Sequence, residues 1–197
     1  MSLPLSCRCG AIQGTVPDTA RTARVMCYCR DCRTAQRWLD PSRGLDAAGG
    51  VDIIATTQAE VQLSQGQDAL ACVQLSPKGL FRWHCKHCRT PLGNTPAANG
   101  PRFVGLSRLA VALDDAALDA RVGLPRWQAF AKSATGPVPA LASRALLPTL
   151  KVVGRSLLDR LRALTPGNPF FDAQGQTRVQ PHLMPREERA ALRAQDR

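Results

Sequence analysis

Up to about residue 113 the apolar positions fall in short runs separated by Gly, Pro, Ser and Gln: Gly10–Val16, Val51–Thr57, Val61–Leu63, Ala71–Leu75, Leu80–Trp83 and Arg102–Leu106. Runs of this length bounded by turn formers are strand signals, and many of them in succession predict an antiparallel, mainly β domain. Ser76-Pro-Lys-Gly79 reads as the turn of a hairpin, which places Cys85 and Cys88 at the hairpin's exit. Beyond Leu113 the texture changes to Ala, Leu and Arg at helical spacing, first over Asp114–Arg121 and then over Pro125–Lys132. The clearest helix carries Leu146, Leu150, Val153, Leu157, Leu161 and Leu164 at steps of three and four, with Lys151, Arg155 and Arg162 off that stripe. Pro166-Gly-Asn-Pro169 ends it. Such a helix is expected to lay its stripe on its own domain and to solvate its polar face. From Phe170 the chain is polar and expected to be ordered only in part, with a last short helix over Arg186–Ala194. The expected organisation is a mainly β domain over 1–115 and a helical, basic C-terminal extension over 116–197.

Composition narrows the function classes. The 197 residues, 44% hydrophobic, suffice for one core and exclude wholesale disorder. The net charge of +11 rests on 22 Arg and only 4 Lys, and it is spread as +4 over 1–96 and +7 over 97–197 without a run of like charge. A nucleic-acid partner is therefore not expected. No apolar run is long enough for a membrane span and no basic, then apolar, leader opens the sequence, so a cytoplasmic protein is expected. No acid-base pair or Ser-His-Asp arrangement stands out.

In a reducing compartment clustered cysteines read first as metal ligands. Cys7-x-Cys9, Cys27-x-Cys29-x-x-Cys32 and Cys85-x-x-Cys88 form three clusters, and Cys72 lies alone in an apolar strand pattern as a buried thiol. Structural zinc takes four protein ligands, whereas catalytic zinc takes three and leaves one position open. The two outer knuckles would close one structural site, and the triplet would hold a second metal with an open position that a small-molecule thiol could fill. Spacing leaves other divisions standing: Cys7 and Cys9 could share a metal with Cys27 and Cys29, and iron could replace zinc. His84 and His87 flank the last knuckle and read as surface or supporting residues. Arg8, Arg30, Arg33 and Arg89 offset thiolate charge, and Arg30 and Arg33 could equally pair with the carboxylates of an acidic thiol. Tyr28 could line a pocket at the triplet, while Trp38 reads as packing.

Cys7-Arg-Cys9-Gly10, Cys27-Tyr-Cys29-Arg-Asp-Cys32-Arg33 and Phe81-Arg-Trp-His-Cys85-Lys-His-Cys88-Arg-Thr-Pro-Leu92 together resemble the glutathione-dependent formaldehyde-activating enzymes, a family that includes centromere protein V-like proteins. The likeness covers about residues 1–115 and ends near Leu113-Asp114-Asp115, which looks like that family's closing strand. It implies a β-tent fold of small coiled sheets and two zinc ions per chain. Cys7, Cys9, Cys85 and Cys88 would be structural ligands, and Cys27, Cys29 and Cys32 would hold the reactive zinc as the catalytic centre. The implied activity is that of a carbon–sulfur lyase acting, through a zinc-bound thiolate, on the adduct of a glutathione-type thiol and formaldehyde. Two positions depart from the family pattern: Tyr28 stands where His is usual, and Arg89 where Gly is usual. The alternative is a non-catalytic zinc scaffold or binding module that uses the basic extension; a third reading is a redox sensor whose triplet oxidises.

Overall fold

A computed structural model describes residues 2–17, 22–141, 147–161 and 167–196. The fold is mainly β: among the described residues eleven strands form two sheets, accompanied by four α-helices. The smaller sheet is antiparallel and contains β1 (Leu3–Ser6), β2 (Gln13–Val16) and β5 (Gln62–Gln65) in the order β1-β2-β5. The larger has eight strands. Its antiparallel centre is built from β3 (Ala23–Cys27), β4 (Val51–Thr57), β9 (Phe103–Ser107), β8 (Pro91–Thr95), β7 (Phe81–Cys85) and β6 (Leu70–Gln74), in that order. The expected hairpin is β6–β7, with Gly79 N–H bonded to the Ser76 carbonyl at 2.9 Å, and Cys85 ends β7 as anticipated.

The chain after residue 115 returns to this sheet at both edges. β10 (Trp127–Ala129) pairs in parallel with β3, and β11 (His182–Leu183) pairs in parallel with β6. The helix expected over Pro125–Lys132 is thus a strand followed by a single 3-10 turn. Leu113-Asp114-Asp115, where a closing strand was expected, opens α2 (Asp115–Val122) instead. The Asp114 carboxylate caps it by accepting Ala117 N–H at 2.7 Å, satisfying one of the donors that a helix start leaves unpaired.

The expected orientation of the long helix is reversed. In α3 (Leu147–Arg160) the side chains of Leu150, Val153 and Leu157, and of Leu161 just beyond, are 47–85% exposed, while Val152, Ser156 and Asp159 are buried. Leu146, Arg162 and Leu164 of the same stripe lie outside the described residues. Small side chains explain the reversal. Ser156 lets the backbone come close enough for its carbonyl to accept Arg102 N–H at 3.1 Å, and Arg155 pairs with the buried Asp159 at 3.2 Å. A leucine in Ser156's place would hold the helix away.

The core also draws on the tail that was expected to be polar and partly ordered. Phe170 and Phe171 are 2% and 1% exposed, with ring centroids 5.0 and 5.8 Å from that of Trp83. Asn168 Oδ1 accepts both of their N–H groups, at 2.8 and 3.1 Å, so the turn arrives with its polar backbone satisfied. Trp83 itself is fully buried, and its indole N–H bonds Thr95 Oγ1 at 2.9 Å. The last helix, α4 (Arg186–Ala194), forms where expected and packs on α1 (Arg30–Leu39).

Candidate metal centres

Cys7 and Cys9 sit in the turn between β1 and β2, on the small sheet, and Cys85 and Cys88 lie at the end of β7, on the large one. The first turn closes by Gly10 N–H on the Cys7 carbonyl (2.9 Å), with Gly10 at φ +73°, a left-handed conformation that glycine adopts without strain. Arg89 N–H on the Cys85 carbonyl (2.9 Å) closes the second. Arg89 is itself left-handed, at φ +57°, a conformation that favours glycine, and its guanidinium lies 4.2 Å over the Trp38 ring. The four sulfurs lie within 4.8 Å of one another, with Cys7 to Cys9 at 3.5 Å and Cys9 to Cys85 at 3.8 Å. Zinc–sulfur bonds of about 2.3 Å put tetrahedral sulfurs about 3.8 Å apart, so the donor set fits a metal of that kind. All eight cysteines are free thiols. Hydrogen bonds from the Thr90 hydroxyl and backbone outweigh burial and hold Cys88 down to about 6, whereas burial pushes Cys85 up to about 12.

Cys27, Cys29 and Cys32 form a second cluster, again within 4.8 Å, at a strand-to-helix junction. Cys27 ends β3. Cys29 is the N-cap of α1, its sulfur accepting Cys32 N–H at 3.3 Å, and Cys32 lies in the first turn. The helix was not anticipated, although Cys32, Ala35, Gln36 and Leu39 form its buried i, i+3, i+4, i+7 face, with Asp31 in the first turn and Arg37 in the last. The competing pairing of Cys7 and Cys9 with Cys27 and Cys29 is not the one formed. His84 and His87 belong to neither cluster. His84 is buried, its ring edge-on to Trp38 at 5.7 Å, and burial lowers its pKa to about 4, so the imidazole stays neutral. Cys72 is buried apart from both, and burial raises its pKa to about 12.

Behind the triplet lies Arg82, a residue given no role by the sequence reading. It is 7% exposed, its Nη1 donates to Cys32 Sγ at 3.4 Å, and its Nε–H is buried without an acceptor. A basic residue inside the apolar run Leu80–Trp83 was the available signal. Hydrogen bonds from Cys27 and Cys29, then the charge of Arg82, hold Cys32 well below the usual thiol range, while Cys27 is raised by its bonds to Cys29 and Cys32. The cluster thus favours a thiolate at Cys32, beside the buried Arg82 cation. A cavity of about 30 Å³, room for a water or two, lies against Cys32 and Arg82, with Gln36, Asn94 and Ser107 also in its lining.

The three residues read as contacting a substrate are placed differently from one another. Tyr28 is 1% exposed and donates to Asp46 Oδ2 at 2.9 Å, under Gly50, where a Cβ would come within 2.6 Å of the ring. Arg33 is 2% exposed and uses all its nitrogens internally, on the Tyr28, Gly49 and Ser133 carbonyls and, at 2.7 and 2.8 Å, on both oxygens of Asp196. Only Arg30 is exposed, 64% of its side chain, with Asp196 at 3.8 Å. Asp196 also pairs with Arg37, so the end of the chain is fastened to the helix that starts at the triplet. Of the other arginines by the sulfurs, Arg8 donates to the Cys88 carbonyl at 3.2 Å.

Among the described residues no helix is long and apolar enough to cross a membrane. No curated protein matches the chain. A crystal structure of a Rhodobacter sphaeroides protein, a structural-genomics target, is 17% identical, with a TM-score of 0.43 over 64% of this chain and 99% of its own, a likeness too slight to bear on fold or function. A family profile, by contrast, matches over residues 1–174, across both cysteine clusters and into the C-terminal extension. The chain belongs to that family, a family of unknown function designated DUF6151.

Proposed function

We propose that this protein carries zinc at both cysteine clusters and acts as a carbon–sulfur lyase on the adduct of a small, glutathione-type thiol with an aldehyde such as formaldehyde, at Cys27, Cys29 and Cys32. One observation supports the reading above the others. The triplet gathers three sulfurs with no fourth Cys, His, Asp or Glu donor among the described residues, whereas the outer knuckles gather four. Zinc held by three thiolates supplies a position at which a thiol stays ionised near neutral pH. The reaction is then addition of that sulfur to the carbonyl carbon, the thiol proton ending on the carbonyl oxygen, and cleavage of the same bond in reverse. The chain's own part is positional. Cys29 is half-buried and opens the cluster to solvent, the N-terminus of α1 directs its dipole there, and Arg82 holds a cation against Cys32. Arg30, exposed beside Cys29, is the guanidinium left to pair with a substrate carboxylate, since Arg33 is fully engaged.

Metal analysis of the purified chain is expected to give two zinc ions, and Cys29→Ser one, with the fold kept. Labelled formaldehyde and glutathione should exchange with their adduct faster in the presence of wild-type protein than of Cys29→Ser. One zinc in the wild type, or global unfolding of the variant, sinks the division. A non-catalytic zinc scaffold is favoured by the interior placement of Tyr28 and Arg33, and two zinc ions without any acceleration of exchange would select it.

A further inference from the structure

Where α4 crosses the start of α1, four arginines surround a groove of about 450 Å³: Arg30 from α1, and Arg186, Arg189 and Arg193 from α4. The three on α4 recur at steps of three and four and so share one face, and the small Ala190 and Ala194 between them leave the groove open. Its one acidic liner, Asp196, is hydrogen-bonded to Arg33 and Arg37 and lies 3.8 Å from Arg30. Arg193 meets Asp31 through Nη2, but its Nε–H is buried and finds no acceptor. Arg189 donates to the Leu75 carbonyl, a neutral group, and the Arg186 side chain makes no hydrogen bond or ion pair with any described residue. Of the two acids beside Arg186, Glu188 is taken by the Trp38 indole N–H at 2.7 Å, and Glu187 does not line the groove. Guanidinium forks thus converge here with more donors and more positive charge than the chain itself answers.

We propose that this groove is a binding site for a small phosphorylated molecule, a phosphomonoester whose dianionic group sits among Arg30, Arg186, Arg189 and Arg193. Planar guanidinium groups pair with phosphate oxygens two at a time, and a dianion offers acceptors to several forks at once, which a single carboxylate does not. The volume exceeds what a phosphate group fills and leaves room for the organic remainder, within the ordinary size range of small-molecule sites. A ligand held there bridges α1 and α4 and so clamps the helix that begins at the triplet. The site stands mainly on α4 and shares only Arg30 with the chemistry proposed for the cysteines.

The test is calorimetric titration of the full chain, at constant ionic strength, with glycerol phosphate, inorganic phosphate and succinate, with thermal melting in parallel. Saturable binding of glycerol phosphate is expected, weakened at least tenfold in Arg30→Gln/Arg186→Gln, with succinate at least tenfold weaker than either phosphate. Lys78→Gln/Lys132→Gln, which removes two exposed charges elsewhere, should bind as wild type does. Both double variants should melt like wild type without ligand, since none of the four substituted side chains is buried. Binding in Cys29→Ser should be unchanged. No saturation by 10 mM, equal loss in both double variants, or succinate binding as tightly as phosphate would overturn the proposal.

Discussion

Arg82→Met isolates what the buried cation does for the triplet. The guanidinium is 7% exposed, donates to Cys32 Sγ at 3.4 Å, and leaves its Nε–H unpaired, so the chain holds a buried charged group whose hydrogen-bonded partner is a sulfur. Methionine has similar length and no charge. Replacing a buried ionic contact by an apolar side chain is commonly neutral or better for stability, and here it also removes an orphaned donor, so the metal-free chain should lose no more than about 1 kcal/mol. The metal-loaded triplet is different, because it must keep three thiolates and their net negative charge. A hydrogen bond to a charged group is worth about 1.5–3 kcal/mol, which corresponds to metal binding weaker by about 10- to 150-fold, in the range that loss of residues supporting metal ligands commonly produces. Competition between the apo-protein and a zinc chelator of known affinity, followed by native mass spectrometry, resolves one-metal from two-metal species. The four-cysteine site should keep its wild-type affinity while the second zinc is lost at lower chelator concentration. Unchanged affinity for the second zinc would refute the reasoning. Parallel weakening of both would show that the substitution damages the sheet rather than the site.

Asp196→Asn should destabilise the chain by about 3 kcal/mol in urea unfolding, because Arg33 is left buried without its carboxylate, and most of that loss should vanish in an Arg33→Met background. At Arg89, with φ +57°, Gly should be more stable than Ala by about 1 kcal/mol, since both lose the contact with Trp38 but only Ala keeps the left-handed strain; equal melting temperatures for the two variants would count against that assignment. In the metal-free protein Cys88, held to about 6, should alkylate ahead of Cys85, raised to about 12, and its rate should fall as pH drops through 6 because the thiolate is the nucleophile. Peptide mapping after brief iodoacetamide treatment reads this directly. The same depressed value means that apo-protein stability should decline as pH falls from the ordinary thiol range toward 6, where the unfolded chain binds the extra proton, and Cys88→Ser should flatten that decline.

The three cysteine clusters were legible because ligand spacing is a short-range property: each spans three to six residues, and only the pairing of clusters, which spacing left open, needs the fold. The strands at 51–57, 71–75 and 80–83 were legible for the same reason. β3, Ala23–Cys27, has no turn former at its exit and runs through Tyr28 almost into α1, which hid both elements. The stripe of α3 misled because apolar periodicity marks a face without saying which way it turns, and Val152 and Ser156, unremarkable in sequence, form the face that meets the sheet. Asp196 and its arginines lie about 160 residues apart, as Arg82 and Cys32 lie 50 apart, and no local pattern records such pairs.

The knuckles tie the two sheets together, and their order along the chain has a consequence for synthesis. Cys7, Cys9, Cys27, Cys29 and Cys32 all leave the ribosome before Cys85, by about 50 residues or more, which at 5–20 residues per second is roughly 3–10 s. During that interval a metal ion meets the first five cluster cysteines and no native four-cysteine site. The set of Cys7, Cys9, Cys27 and Cys29 can then claim the ion first, as a mispaired state that must exchange ligands once β7 arrives. Yield of correctly folded protein should therefore depend on when metal is supplied, and not only on how much.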